Sequence, residues 1–199
     1  MKRKIIQPEP WKLIKSEQGP DLKLFQVRYN WMANPRNSHE IKSLILESGD
    51  WVNIVALTSD NKVVIVRQYR FGVGKITAEI PGGLIDINET PKEAAIRELQ
   101  EETGYTSSNW KYLGAVEPNP AINNNLCHHW MAKNATKTHK PNLDKGEDII
   151  VETLSIDEIK SEILEGRLMH TLVFSALSRV FDLWKDDNFS VHHKQSKNR

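Results

Sequence analysis

Hydrophobic positions in this chain fall in short runs through the first two thirds and at helical spacing through the last third. Runs rich in β-branched and other apolar residues at Ile41–Leu46, Trp51–Leu57 and Lys62–Gln68 predict strands, with Ser59-Asp60-Asn61 as the hairpin turn between the last two. From about Trp11 to Tyr29 the pattern predicts short strands around a turn at Gln18-Gly19-Pro20-Asp21. Further strands are expected near Lys111–Val116, Leu126–Ala132 and Asp148–Leu154. Ser155 then caps a predicted helix over Ile156–Glu165 that ends at Gly166. A second helix is expected from about His170 to Trp184, because Leu172, Ala176, Leu177, Val180 and Trp184 recur at helical spacing.

The segment with the clearest local signals is GLIDINETPKEAAIRELQEETGY, Gly83 to Tyr105. Thr90-Pro91-Lys92-Glu93 reads as a capping box, with proline at the first helical position, and Gly104 suits the left-handed residue that closes a helix. Ala95, Ile96 and Leu99 form the face expected to dock on a core. Glu98, Glu101 and Glu102 sit at i, i+3 and i+4 and so project from one side. Like charges at that spacing repel by roughly 0.2–0.5 kcal/mol per pair. A divalent cation relieves that repulsion, and an all-oxygen set favours Mg²⁺ or Mn²⁺ over zinc or copper. Upstream, Pro81-Gly82-Gly83 lets backbone approach a ligand and offers carbonyl oxygens as hard ligands.

The run matches, position by position, G-x5-E-x7-R-E-U-x-E-E-x-G-U, where U is a bulky apolar residue. The matching residues are Gly83, Glu89, Arg97, Glu98, Leu99, Glu101, Glu102, Gly104 and Tyr105, the last aromatic where an aliphatic residue is usual. On these residues the chain resembles the Nudix hydrolases. The resemblance implies an α+β fold, a mixed sheet sandwiched between helices as an α/β/α arrangement, spanning residues 46–186. Residues 1–45 would form an N-terminal strand arm, similar to the arm through which some members dimerise, while the polar composition of 187–199 predicts a disordered tail. The resemblance further implies divalent-metal-dependent cleavage of a diphosphate. The expected metal set is Glu98 and Glu102 as principal ligands, helped by Glu101, the Gly82 carbonyl and Glu147. Glu101, Glu102, Arg97 and Glu147 are the expected catalytic residues, with Arg97 orienting Glu101 and Glu147 the candidate general base.

Flanking segments bear on the substrate. Ala78–Asp86, AEIPGGLID, and Val66–Arg70, VRQYR, resemble segments of the ADP-ribose and nucleoside diphosphate sugar pyrophosphatases. Pro120, fifteen residues past Tyr105, stands where ADP-ribose pyrophosphatases carry a proline, although Ala121-Ile122-Asn123-Asn124-Asn125 follows where a glycine and an acidic residue are usual. Arg67, Arg70, Glu79 and Pro120 are accordingly the expected substrate-binding residues. ADP-ribose is the first expected substrate and GDP-mannose the next. A nucleoside triphosphate pyrophosphohydrolase and a non-catalytic nucleotide-sugar sensor are the alternatives.

Composition adds exclusions. A formal net charge of +1 carries no nucleic-acid signature, and no apolar stretch approaches a membrane helix in length. Cys127, the only cysteine, rules out an internal disulfide and suits a reducing, cytoplasmic setting. His128 and His129 point to opposite faces of a strand and lack a Cys-x-x-Cys partner, which argues against zinc. Trp11, Trp31 and Trp51 are candidates to stack on a base, although core or dimer packing is the commoner use. The partners expected are thus a nucleotide-sugar substrate and a second copy of the chain.

Overall fold

A computed structural model describes residues 7–184; the expected polar tail lies outside them. Two sheets organise the chain. The first is antiparallel, in order β1-β2-β3, from β1 (Lys12–Asp21), β2 (Gln26–Ala33) and β3 (Glu40–Glu47). The turn expected at Gln18–Asp21 lies instead inside β1, and the chain reverses over Leu22–Phe25. Pro20 is tolerated there because β1 is an edge strand, and a register shift between Gln18 and Asp21 absorbs it. The reversal is set by Asp21, whose Oδ1 accepts the Lys23 N–H at 2.7 Å while Lys23 takes a φ of 66°.

The second sheet has seven strands: β4 (Trp51–Thr58), β5 (Val63–Arg70), β6 (Lys75–Glu79), β7 (Tyr105–Thr106), β8 (Asn109–Val116), β9 (Cys127–Lys137) and β10 (Ile150–Leu154). Its main path runs β10-β5-β4-β9-β7, with β6 added to β5 and β8 to β9. The β4–β9 pair is parallel and the others antiparallel, so the sheet is mixed, as expected. The short strands β6 and β7 were not expected; β6 is brief and leaves Ile76 65% exposed, so its apolar pattern is weak.

Helices cover both faces. Helix α1 (Pro91–Thr103) lies on one, where Val52, Ile54 and Ala56 of β4 meet Ala94, Ala95 and Leu99. Helices α2 (Ile156–Leu164) and α3 (Thr171–Leu177) cover the other, where Val55 and Leu57 meet Ile159, Val173 and Leu177. Adjacent β4 residues thus feed opposite cores, which explains why the strand reads as a nearly continuous apolar run. Each fully buried Ile or Leu contributes about 1.5–3 kcal/mol of transfer free energy. Two helix expectations change. Ile96 is 39% exposed, and Ala94 docks on the sheet in its place. Helix α3 stops at Leu177 rather than Trp184, because the chain leaves it through i→i+3 turns at Arg179 and Val180. Arg179 reaches across to β8, its guanidinium donating to the carbonyls of Leu113 at 2.5 Å and Ala115 at 3.3 Å.

Candidate active site

Helix α1 is bounded as its sequence predicts. Thr90 caps it in a complete capping box with Glu93, and Gly104 ends it at a φ of 73°. That fixes the phase of the carboxylates. Glu102 faces inward and is only 4% exposed, Glu98 is largely covered, and Glu101 is the most open of the three. Glu102 accepts the Gly82 N–H at 3.0 Å. Burial pushes its carboxyl up to about 8; the Gly82 bond opposes the shift, and the charges of Glu98 and Glu147 add to it. Burial also raises Glu98, against the pull of Arg97.

Gly82 and Gly83 are required by close approach. A Cβ on Gly82 would collide with the Val52 carbonyl oxygen, and one on Gly83 with the Glu98 carboxylate. The Pro81 and Gly83 carbonyls accept N–H groups of Ile54 and Val52, while the Gly82 carbonyl between them has no partner among the described residues.

Arg97 holds this cluster together. Its Nε and Nη2 grip Glu89 at 2.9 and 2.8 Å, Nη1 reaches Glu98 at 2.7 Å and Glu101 at 3.2 Å, and Nη2 also donates to the Leu84 carbonyl at 2.9 Å. The bidentate bond holds Glu89 below the usual carboxylate range. The expected Arg97–Glu101 pair therefore exists, but it is the longest of these side-chain bonds, and Glu89 is the main partner. Glu89 belongs to the loop before the helix, so no helical periodicity signals its contact with Arg97.

A cleft of about 730 Å³ opens beside Gly82 and Gly83. Arg70 and Glu79 stand on its wall, joined by two bonds of 2.7 and 2.6 Å, and Thr77 donates to Glu79 at 2.5 Å. Burial would raise the Glu79 carboxyl, but Arg70 and Thr77 bring it below its ordinary value. Nε and Nη2 of Arg70 are used by this pair; Nη1 has no partner among the described residues. His170, expected only as a helix start, lines the same cleft.

The remaining expected residues are placed differently. Glu147 is exposed on a loop, where its Oε2 accepts the Asp144 N–H at 2.9 Å, and its charge acts on Glu98, Glu102 and Arg70. Arg67 does not line the cleft; it joins β5 to β10 and α2 through Glu152 at 2.5 Å and Glu162 at 3.1 Å. Pro120 is exposed and also off the cleft, in a loop that bonds to the start of the second sheet through Asn125 to Gly49 and Leu126 to Asp50. His129 is fully buried and His128 is not, so the two do point to opposite faces. Trp51 lines the cleft, whereas Trp11 lies 40% exposed and Trp31 faces Lys15 and Lys42, its ring about 5 Å from both ammonium groups.

Among the described residues, no three His, Cys, Asp or Glu side chains converge into a ready-made metal cage. The donor chemistry nonetheless fits a divalent cation. Glu102 and Glu98 are covered carboxylates whose ionised forms are disfavoured as they stand, beside an unpartnered carbonyl. A hard cation supplies the charge that would keep both ionised.

Comparison with known proteins agrees with this geometry. The chain is 30% identical over 158 residues to a methanol dehydrogenase activator of Bacillus methanolicus, covering 79% of this chain and 85% of that one. It is 25% identical over 159 residues to an ADP-ribose pyrophosphatase of Mycobacterium tuberculosis, covering 79% and 76%. A crystal structure of an ADP compounds hydrolase superposes with a TM-score of 0.75 at 21% identity, covering 88% of this chain and 95% of that one, which speaks for the fold. The NUDIX domain model matches residues 49–172, from the start of the second sheet into α3. The chain belongs to the Nudix family, and it is a hydrolase acting on pyrophosphate bonds.

Proposed function

We propose that this hydrolase cleaves the diphosphate of a nucleoside diphosphate sugar, ADP-ribose foremost and GDP-mannose next, into a nucleoside monophosphate and a sugar phosphate with Mg²⁺ or Mn²⁺. The observation that carries the reading is the pairing of covered carboxylates Glu98 and Glu102 with a cleft walled by Arg70 and Glu79. The ADP-ribose pyrophosphatase among its relatives supports the substrate class.

Glu98 and Glu102, with Glu101 and the Gly82 carbonyl, are the groups that would hold the cation. Bound there, the cation would neutralise diphosphate charge and make water acidic enough to attack near neutral pH. Arg97 keeps Glu98 and Glu101 in place through its shared bonds with Glu89. Arg70 offers its free Nη1 to a phosphate oxygen while Glu79 holds its guanidinium plane. Glu147 is the candidate to take the proton from water, since it is exposed and its charge acts on Glu98 and Glu102. Arg67 is assigned to holding β5, β10 and α2 together rather than to phosphate, since both its contacts are carboxylates.

The β1–β3 sheet is proposed as the dimerising arm and residues 46–186 as the catalytic unit. Strand β1 is exposed almost throughout, with Leu13 and Ile14 open to solvent. Light scattering at micromolar concentration reads this directly: a monomer mass removes the dimer assignment. No helix among the described residues is long and apolar enough to cross a membrane. The activity test is a panel with Mg²⁺ comprising ADP-ribose, GDP-mannose, ADP-glucose, UDP-glucose, NADH and a nucleoside triphosphate. Cleavage led by nucleotide sugars is expected; triphosphate preference overturns the substrate assignment, and binding without cleavage transfers the chain to the sensor class.

A further inference from the structure

The cleft that holds the Arg70–Glu79 pair is also lined by His170, whose ring has one nitrogen committed and one free among the described residues. His170 is the N-cap of α3, and its Nδ1 accepts the Leu172 N–H at 3.2 Å. An accepting Nδ1 puts the proton of the neutral ring on Nε2. Nε2 has no hydrogen-bond partner among the described residues and is not sealed from solvent. The ring lines the cleft together with Lys75, Thr77, Met169 and Leu172, so a ring with an unused N–H donor stands on its wall.

The charges order the site. Arg70 feels Glu79 first and Glu102 and Glu147 after it, while His170 feels Glu79 and Arg70. The imidazole therefore shares the cleft with the Arg70–Glu79 pair and feels both of its charges. Burial lowers its pKa, with Glu79 opposing and Arg70 assisting, so near neutral pH the ring is uncharged. Around it lie Val73 and Met169, which are mostly exposed apolar side chains, and the exposed ring of Phe71, edge-on to Tyr69 at 5.6 Å. Lys75 lines the same wall, its Nζ 3.9 Å from the Met169 sulfur, so these apolar groups stand beside a cation.

We infer that His170 donates from Nε2 to an acceptor atom of the nucleotide sugar bound in the cleft, a sugar hydroxyl or a base ring nitrogen. This rests on the nucleotide-sugar reading above. The contact makes His170 a specificity-determining residue, because a site donor left without its acceptor discriminates against substrates that lack one.

Two substitutions separate the ring's two jobs. His170→Asn keeps an acceptor near the Nδ1 position, and so the cap, but has nothing at Nε2. His170→Gln places an amide near Nε2 but caps poorly. With ADP-ribose and Mg²⁺, His170→Asn is expected to raise KM about tenfold with kcat changed less than about threefold and Tm held, the size of one neutral hydrogen bond. His170→Gln is expected to keep KM within about threefold and to lower Tm by a few degrees. Repeating the series with ADP-glucose and GDP-mannose assigns the acceptor: a KM effect lost when the sugar changes names the sugar, and one lost when the base also changes names the base. Equal KM for wild type and His170→Asn on all three overturns the inference and leaves the proposed function standing. Absence of wild-type turnover on every nucleotide sugar removes the proposed function and this inference with it.

Discussion

Replacing Glu102 by Gln tests whether the innermost carboxylate of α1 is held at a cost that a cation would relieve. Glu102 is 4% exposed and its carboxyl is pushed up to about 8 from an ordinary 4.5. Its folded pKa is raised, so the folded state binds a proton more tightly than the unfolded chain. Stability from this group is complete below about pH 4.5 and is lost as pH rises to about 8. Over that window the loss is on the order of 4–5 kcal/mol, about 1.4 kcal/mol of it between pH 7 and 9. Gln fills the same space, can still accept the Gly82 N–H, and carries no charge. In chelator, urea unfolding should show Glu102→Gln more stable than wild type at pH 8.5 and equal to it near pH 4.5. The wild-type minus variant difference cancels the titrating groups that do not interact with Glu102. Adding Mg²⁺ at pH 8.5 should raise the wild-type Tm more than the variant's, and turnover of the variant should fall at least about a hundredfold. Identical pH–stability curves for the two proteins in chelator would refute the argument that Glu102 is a strained buried carboxylate, whatever happened to activity.

Gly83→Ala places a Cβ against the Glu98 carboxylate, which must loosen its bond to Arg97 to give way, so Tm should fall by a few degrees while kcat falls at least about tenfold. A variant of full activity would show that Glu98 need not occupy its present position. Arg97→Lys cannot reproduce the bidentate grip on Glu89 together with the bonds to Glu98, Glu101 and Leu84, so kcat should fall at least about tenfold; unchanged kinetics would remove Arg97 as the organiser of the cluster. His129 is fully buried with neither ring nitrogen bonded among the described residues, and burial, then Arg179 and His128, lowers it to about 4. Protons therefore favour the unfolded chain below about pH 6.5, and wild type should lose about 2 kcal/mol more than His129→Leu between pH 7.5 and 5 in urea unfolding. Parallel losses would show that His129 is not held neutral.

How far the sequence carries depends on the range of the interaction that decides each feature. The ends of α1 were legible because Thr90, Pro91, Glu93 and Gly104 act within a turn of where they sit. The Asn61 turn was legible for the same reason. The carboxylate face of α1 followed from helix phase, though which of the three is most covered did not. At β1 the turn signal of Gly19-Pro20 was overridden, because an edge strand tolerates proline and Asp21 could close the turn one step later. The end of α3 was misjudged because apolar spacing continued past Leu177 while the backbone left the helix.

Sequence alone determined the chemistry: a helix with three carboxylates on one side, two glycines before it, and a charge pattern matching the family box at every fixed position. Those are local relations, set by a periodicity of 3.6 residues and by backbone freedom at glycine. Only the tertiary structure decided which charges meet. It paired Arg70 with Glu79 across two strands, bound Arg67 to Glu152 and Glu162, made Glu89 the main partner of Arg97, and set His170 against the cleft. An arginine on a strand carries no mark of which carboxylate will lie opposite it. Sheet register and helix docking settle that, and they answer to burial of apolar side chains across the whole domain rather than to the charges themselves.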